Sequence, residues 1–335
     1  MYSLQQQVFT LSFLSNKTAN QCGTVNHLAE NAMLAINHVL SDPGVTKFIG
    51  TWRIVWGPVV YQRPNSKAAD NTMVVFEGTS GNNAVYVVAI AGTNPLSKYD
   101  VLDEDTHVGP RTMPFKGPAW IANGTSDGVN VLEAMRDAAG GTLQTFLASK
   151  ASSNATLIFT GHSLGGALAP TLALDLVANK GLDRKRWGSI LVWPSAGPTP
   201  GNQAFSDLFA QTFPKQSTGA NPWEVWNMNV VNTMDIVPRA WSQLGTLPSL
   251  YAAGLGTVLS VAAIVVDLEI LHDLAKNHYA ILPTSSIPGA YEPLPPKVPP
   301  PPLFQQYLSE ALYQHIQFYI KTIIPDLQRF FAGTV

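Results

Sequence analysis

Between residues 24 and 40 the apolar positions Val25, Leu28, Ala29, Ala32, Leu34, Ala35, Ile36 and Val39 recur at steps of three and four and stop at Asp42-Pro43-Gly44. This is the pattern of an amphipathic helix with Thr24 as its N-cap. The period then changes. Met73–Phe76 and Ala84–Ile90 are apolar runs rich in β-branched residues, separated by Gly78, Gly81, Asn82 and Asn83. They predict a hairpin whose second strand is buried enough to lack polar alternation. From Thr156 the chain reads strand (156–160), helix (164–177), strand (190–193), helix (203–213) and strand (225–231). Strand and helix alternating at this pitch predict βαβ units around a mostly parallel sheet.

Two segments break the alternation. Residues 246–266 carry no charge over 21 positions, about the length that spans a bilayer. The run is interrupted by Pro248, Gly254 and Gly256, and it flows into Asp267, Glu269 and His272 without basic flanks. A buried or site-covering pair of helices is therefore favoured over a membrane span. Residues 283–302 hold nine prolines, which favours extended polyproline geometry and a stiff spacer. Helical periodicity resumes at Leu303 and runs to Phe331 with one break at Pro325. The expected organisation is one α/β domain over residues 1–335, with a helical cap inserted at 246–282 and a Pro-rich spacer at 283–302.

Composition narrows the partners. Twenty Lys and Arg against 22 Asp and Glu leave a net charge of −2, so no strong field favours nucleic acid. Only 13% of the 335 residues are charged, about half of the ~25% usual for soluble domains. The surface must then rest on Ser, Thr, Asn, Gln and Gly. A lone cysteine, Cys22, excludes an intramolecular disulfide and a cysteine zinc site. The first residues, Met1-Tyr-Ser-Leu-Gln-Gln-Gln, lack the basic region and apolar core of a signal peptide. The expectation is a protein that stays inside, or one whose leader has been removed.

The strongest chemical signal is Gly161-His162-Ser163-Leu164-Gly165, a Gly-x-Ser-x-Gly run that follows a predicted strand and opens a predicted helix. That context is the one in which a serine sits on a sharp turn with its hydroxyl lifted off the sheet, flanked by glycines because side chains there would collide. The helix start adds N–H groups and a positive partial charge where an oxyanion would form, so the Leu164 N–H is expected to be one oxyanion donor. Serine alone is a poor nucleophile. It needs a base and an orienting acid, and on this kind of turn they follow in the order Ser, Asp, His. Asp235, in the loop after the apolar run ending at Val231, lies on the same sheet rim. His272, His278 and His315 all follow it, and spacing does not choose among them. His162, beside the nucleophile, reads as a packing or hydrogen-bonding residue. Asp103-Glu-Asp105 reads as a solvated turn without a calcium-loop pattern.

Gly161-His-Ser-Leu-Gly-Gly-Ala-Leu-Ala169, Pro194-Ser-Ala-Gly-Pro-Thr-Pro-Gly-Asn202 and Asn229-Val-Val-Asn-Thr-Met-Asp235-Ile-Val-Pro238 resemble the class 3 (fungal-type) lipases of the α/β-hydrolase superfamily. The resemblance is good over residues ~70–240 and loose in the tail. It implies the α/β-hydrolase fold, and the family's histidine with an aromatic a few positions on selects His315, followed by Phe318 and Tyr319, over His278. It also implies that the strand Ala89-Ile-Ala-Gly92 ends at a second oxyanion donor, Thr93; the family's usual Arg before that glycine is Ala91 here. A lid is implied in 94–126. The activity implied is hydrolysis of esters with an apolar acyl group, without cofactor or metal, with an apolar ester or lipid as partner and contact with a lipid surface. The alternatives are a phospholipase, an acyltransferase or peptidase on the same three residues, or a non-catalytic membrane-associated binding protein. The insertion between Asp235 and His315 is larger than the family needs, and residues 246–275 are expected to cap the site.

Overall fold

The computed structural model describes residues 1–92, 112, 114–263, 265–266, 278–292 and 300–331. Thr93, Asp103–Asp105, most of the expected lid, His272, residues 267–275 of the expected cap and residues 293–299 of the spacer lie outside the described residues.

Helix α1 (Leu4–Leu14) opens on a capping box made by Ser3 and Gln6, and α2 (Val25–Leu40) is capped by the Thr24 side chain, which accepts from the His27 N–H. A third helix, α3 (Pro43–Ile49), leads into β1 (Arg53–Tyr61). The hairpin β2 (Asn71–Ser80) and β3 (Asn83–Ile90) follows. Then come α4 (Asn123–Ala134), α5 (Leu143–Lys150), β4 (Thr156–His162), α6 (Leu164–Ala178), β5 (Ser189–Ser195) and α7 (Gln203–Thr212). β6 (Asn229–Asn232), the single helical turn α8 (Ala252–Leu255), β7 (Thr284–Ile287), α9 (Leu303–Leu312) and α10 (Phe318–Ile323) complete the order, with a π-helical turn at Tyr313–Gln317 joining the last two helices.

The main sheet runs β1 to β7 in chain order. β1–β2 and β2–β3 are antiparallel, and every later pair is parallel. The two-residue period of its strands divides the core in two. Phe76, Val87, Ile158 and Trp193 face a layer built from α1, α2, α3 and the C-terminal helices. Val75, Val88, Phe159 and Val192 face α4, α5, α6 and α7. Helix α6 is buried on nearly all sides, as a helix apolar all round must be.

The run 225–231 is not one strand. Asn227 takes a left-handed φ of 64° and divides it into Val225–Trp226, paired with Gln216–Ser217, and β6 in the main sheet. The proline-rich stretch, read as a spacer, supplies the edge strand β7 from its proline-free Thr284–Ile287. Around the segment expected to cap the site, a 3-10 turn at Leu244–Ser249, α8 and helical residues from 259 pack Tyr251, Val258, Val261 and Val265 against Tyr307 and Ala311 of α9, a third apolar cluster. Among the described residues no helix is long and apolar enough to cross a membrane.

Candidate active site

β4 ends at His162 and α6 begins at Leu164, so Ser163 must turn the chain within one residue. It does so at φ 60° and ψ −127°, a conformation that non-glycine residues seldom adopt. Neighbouring backbone enforces it. A Cβ on Gly161 would run into the Gly165 carbonyl, one on Gly165 into the Ile90 carbonyl, and one on Gly166 into the Ser195 carbonyl. The Ser163 N–H donates to the Ser195 carbonyl on β5 at 3.0 Å, which ties the turn to the sheet.

The Ser163 hydroxyl donates to Nε2 of His315 at 2.8 Å. Nδ1 of the same ring lies 3.0 and 2.9 Å from the two carboxylate oxygens of Asp235. A carboxylate only accepts, so Nδ1 carries the proton and Nε2 is left as the acceptor facing the serine. The Asp235 side chain has no solvent exposure and His315 retains 12%. Asp235 is held from two more directions: Oδ1 accepts the Val237 N–H at 3.0 Å, and Oδ2 accepts the Tyr319 hydroxyl at 2.9 Å. Tyr319 in turn accepts the Asn232 N–H at 2.8 Å, and burial with the nearby Asp235 charge drives its pKa well above the ordinary value.

The π turn places His315. Its wider pitch frees main-chain carbonyls, and side chains take them up. Asn232 Nδ2 donates to the Gln314 carbonyl at 3.0 Å, and His162 Nε2 donates to the His315 carbonyl at 2.8 Å. That second bond fixes the His162 tautomer, so its Nδ1 accepts from the Ser195 hydroxyl at 2.9 Å. Burial, and then the proximity of His315, push the His162 pKa well below 6.5, so the ring stays neutral. His162 therefore acts as a hydrogen-bonding residue beneath His315.

Of the residues expected from the sequence, Ser163, Asp235 and His315 come together, and Leu164 lies at the first position of α6, where its N–H has no intrahelical acceptor. Thr93 lies outside the described residues, although Gly92 before it sits beside Ser163. His278 is exposed at the start of a short strand. The braces Tyr251, Asn232 and Gln314 were not visible in the sequence. Tyr251 donates to the Met234 carbonyl at 2.9 Å, and Gln314 bonds both Asn232 and the buried Glu310. None of these carries a local motif. Among the described residues no group of three or more His, Cys, Asp or Glu could hold a metal ion.

Residues 87–244 match the sequence model of the family described as lipase (class 3). No curated protein matches the chain. Among solved structures, M37 lipase superposes with a TM-score of 0.77 at 26% identity, over 98% of this chain and 94% of that one. The lipase of Rhizopus microsporus var. chinensis aligns with 72% of this chain and 71% of its own at 19% identity and a TM-score of 0.44. Lipase II of Rhizopus niveus aligns with 71% and 76% at 18% identity and 0.44. Over residues 87–244 the chain is thus similar to the class 3 lipase family, and over nearly its whole length it shares the α/β fold of M37 lipase.

Proposed function

We propose that the protein is a serine hydrolase that cleaves carboxylic esters with an apolar acyl group, triacylglycerols included, through an acyl-enzyme on Ser163. The match of residues 87–244 to the class 3 lipase family and the likeness to M37 lipase support lipase-type ester hydrolysis. The observation that carries the catalytic assignment is the continuous hydrogen-bond chain from the Ser163 hydroxyl through both nitrogens of His315 to the buried Asp235.

His315 Nε2 takes the Ser163 proton as the serine oxygen bonds to the ester carbonyl carbon, and Asp235 stabilises the imidazolium that forms. The negative charge that builds on the former carbonyl oxygen meets the Leu164 N–H at the positive end of α6. The expected second donor is Thr93. When the tetrahedral species collapses, the alkoxide leaves with the proton from His315, and the acyl group stays on Ser163. Water then repeats the sequence, giving its proton to His315 and releasing the acid and free serine.

The uncharged cap is assigned to the acyl group or the lipid surface that presents it. Its buried residues pack on α9, while Leu259 is 79% and Val266 52% exposed. The test is the rate of hydrolysis of p-nitrophenyl esters from short to long acyl chains, alongside His315→Ala and His278→Ala. The reading expects turnover with the wild type and with His278→Ala, and loss with His315→Ala. Equal losses in both variants, or none in either, would remove His315 from its role.

A further inference from the structure

The end of β3 lies directly against the nucleophile. A Cβ at Gly92 would stand 2.9 Å from the His162 carbonyl oxygen and 3.3 Å from Ser163 Cβ, so the backbone at this residue packs directly against the reacting centre. Its placement therefore matters to chemistry at Ser163. The sheet controls the strand only up to that point: Ile90 is the last β3 residue in register with β4, opposite Gly161, and the Ala91 N–H donates to the Thr72 carbonyl of β2 at 3.0 Å. The Gly92 N–H goes instead to a side chain from the opposite end of the sequence, Asn16 Oδ1, at 2.8 Å.

Asn16 is well braced for this. Its Nδ2 donates to the Ser12 carbonyl one turn back at 3.2 Å, and its own N–H donates to the Phe13 carbonyl at 3.2 Å. The two side-chain contacts, one as donor and one as acceptor, agree on a single orientation of the amide. Helix α1 behind it is immobilised in the core. Phe9 and Phe13 are buried, with Phe13 4.8 Å from the His162 ring, and Lys17 Nζ donates to the Phe330 carbonyl at 2.8 Å. One helix thus touches both the elbow, through His162, and the strand end beside it, through Gly92.

We propose that Asn16 is a positioning residue for catalysis: it fixes the Gly92 peptide against Ser163 and so sets where that peptide stands relative to the tetrahedral intermediate. The inference rests on Ser163 being the nucleophile. Ala91 carries no group that could do this, and the strand ladder has ended, so the brace has to come from another element. The role lies in the transition state rather than in binding, because a shift of about 1 Å in such a group costs up to ~10²-fold in rate.

The test is Asn16→Leu, near in volume and without the amide, with Asn16→Ala as the second variant should the leucine not fold. Three quantities are read per folded site: kcat and KM on a soluble p-nitrophenyl ester, and the rate at which a fluorophosphonate, which also forms a tetrahedral adduct, labels the protein. A fourth reading, the amide proton shift and exchange rate of ¹⁵N-glycine-labelled Gly92, follows the hydrogen bond itself. The expected result is a fall of about 10- to 100-fold in kcat and in labelling rate, KM within about two-fold, and faster exchange at Gly92. Unchanged kcat per folded site in either variant, or a loss carried by KM, would overturn it. If Ser163→Ala still turns over the ester, the underlying functional reading has failed. If Ser163→Ala is inactive while Asn16→Leu keeps its kcat, only the present inference has.

Discussion

Tyr319→Phe removes one oxygen from the centre of the site and leaves the rest of the side chain in place. Tyr319 is fully buried, and its ring meets that of His162 at 5.1 Å, a contact phenylalanine keeps. The lost hydroxyl makes two hydrogen bonds, donating to Asp235 Oδ2 at 2.9 Å and accepting from the Asn232 N–H at 2.8 Å. A hydrogen bond to a charged group contributes about 1.5–3 kcal/mol, and a buried N–H left without a partner costs about 1–3 kcal/mol. The two effects share one atom and do not fully add, so the expected loss of stability is about 3 kcal/mol, read from urea unfolding of wild type and variant at equal m-value. Asp235 also loses a donor that holds its plane toward His315. We expect kcat to fall about tenfold, corresponding to ~1.4 kcal/mol, with KM unchanged because Tyr319 does not reach the substrate side. A loss of stability below about 1 kcal/mol together with an unchanged kcat would refute the claim that Tyr319 holds the acid and its loop.

Further predictions follow from the buried titratable groups and the cap. His162 is neutral in the fold, with a pKa well below the ordinary 6.5, and is enclosed by His315, Ser195, Tyr319 and Phe13. The unfolded chain therefore binds more protons below pH 6.5, and stability should fall as pH drops through that value; thermal unfolding between pH 5 and 8 should show a flatter profile for His162→Gln. Glu310 is 1% exposed, with Oε2 unpartnered among the described residues, and burial raises its pKa above 4.5. Here the folded state holds the proton more tightly, so this contribution is present below pH 4.5 and is lost as pH rises through the folded value. Glu310→Gln should accordingly gain stability relative to wild type at alkaline pH and show no gain at acid pH in the same scans. Leu259 is 79% exposed, so Leu259→Asp should leave the unfolding temperature and turnover of soluble short-chain esters unchanged while slowing hydrolysis of emulsified long-chain triacylglycerol; equal rates on both would separate the cap from lipid contact.

Much of the centre was legible because its signals are local. The elbow, the acid after an apolar strand and the alternation of strand and helix each depend on a few consecutive residues, and the candidates Ser163 and Asp235 and the β2–β3 hairpin are read that way. The histidine was different. Spacing left three candidates, and His315 emerged only through resemblance to a family. What the sequence did not reveal depends on contacts between distant segments. Helix α1 buries Gln5, Gln7, Thr10 and Ser12 along with its apolar residues, so it shows no clean stripe. Strand β1 was hidden by Gly57-Pro58, where its pairing with β2 shifts register. Asn227, one residue in a left-handed conformation, divided a run that composition alone makes continuous. The braces Asn16, Asn232 and Tyr251 sit 299, 83 and 64 positions from His315 in the chain, and no periodicity points from one to another.

Whether Ser163, activated by His315 and Asp235, is the nucleophile is read from steady-state ester hydrolysis by wild type and Ser163→Ala, both confirmed folded. The expected result is a loss of about 10⁴-fold or more in kcat in the variant, which still binds substrate. A variant that keeps its rate would contradict it.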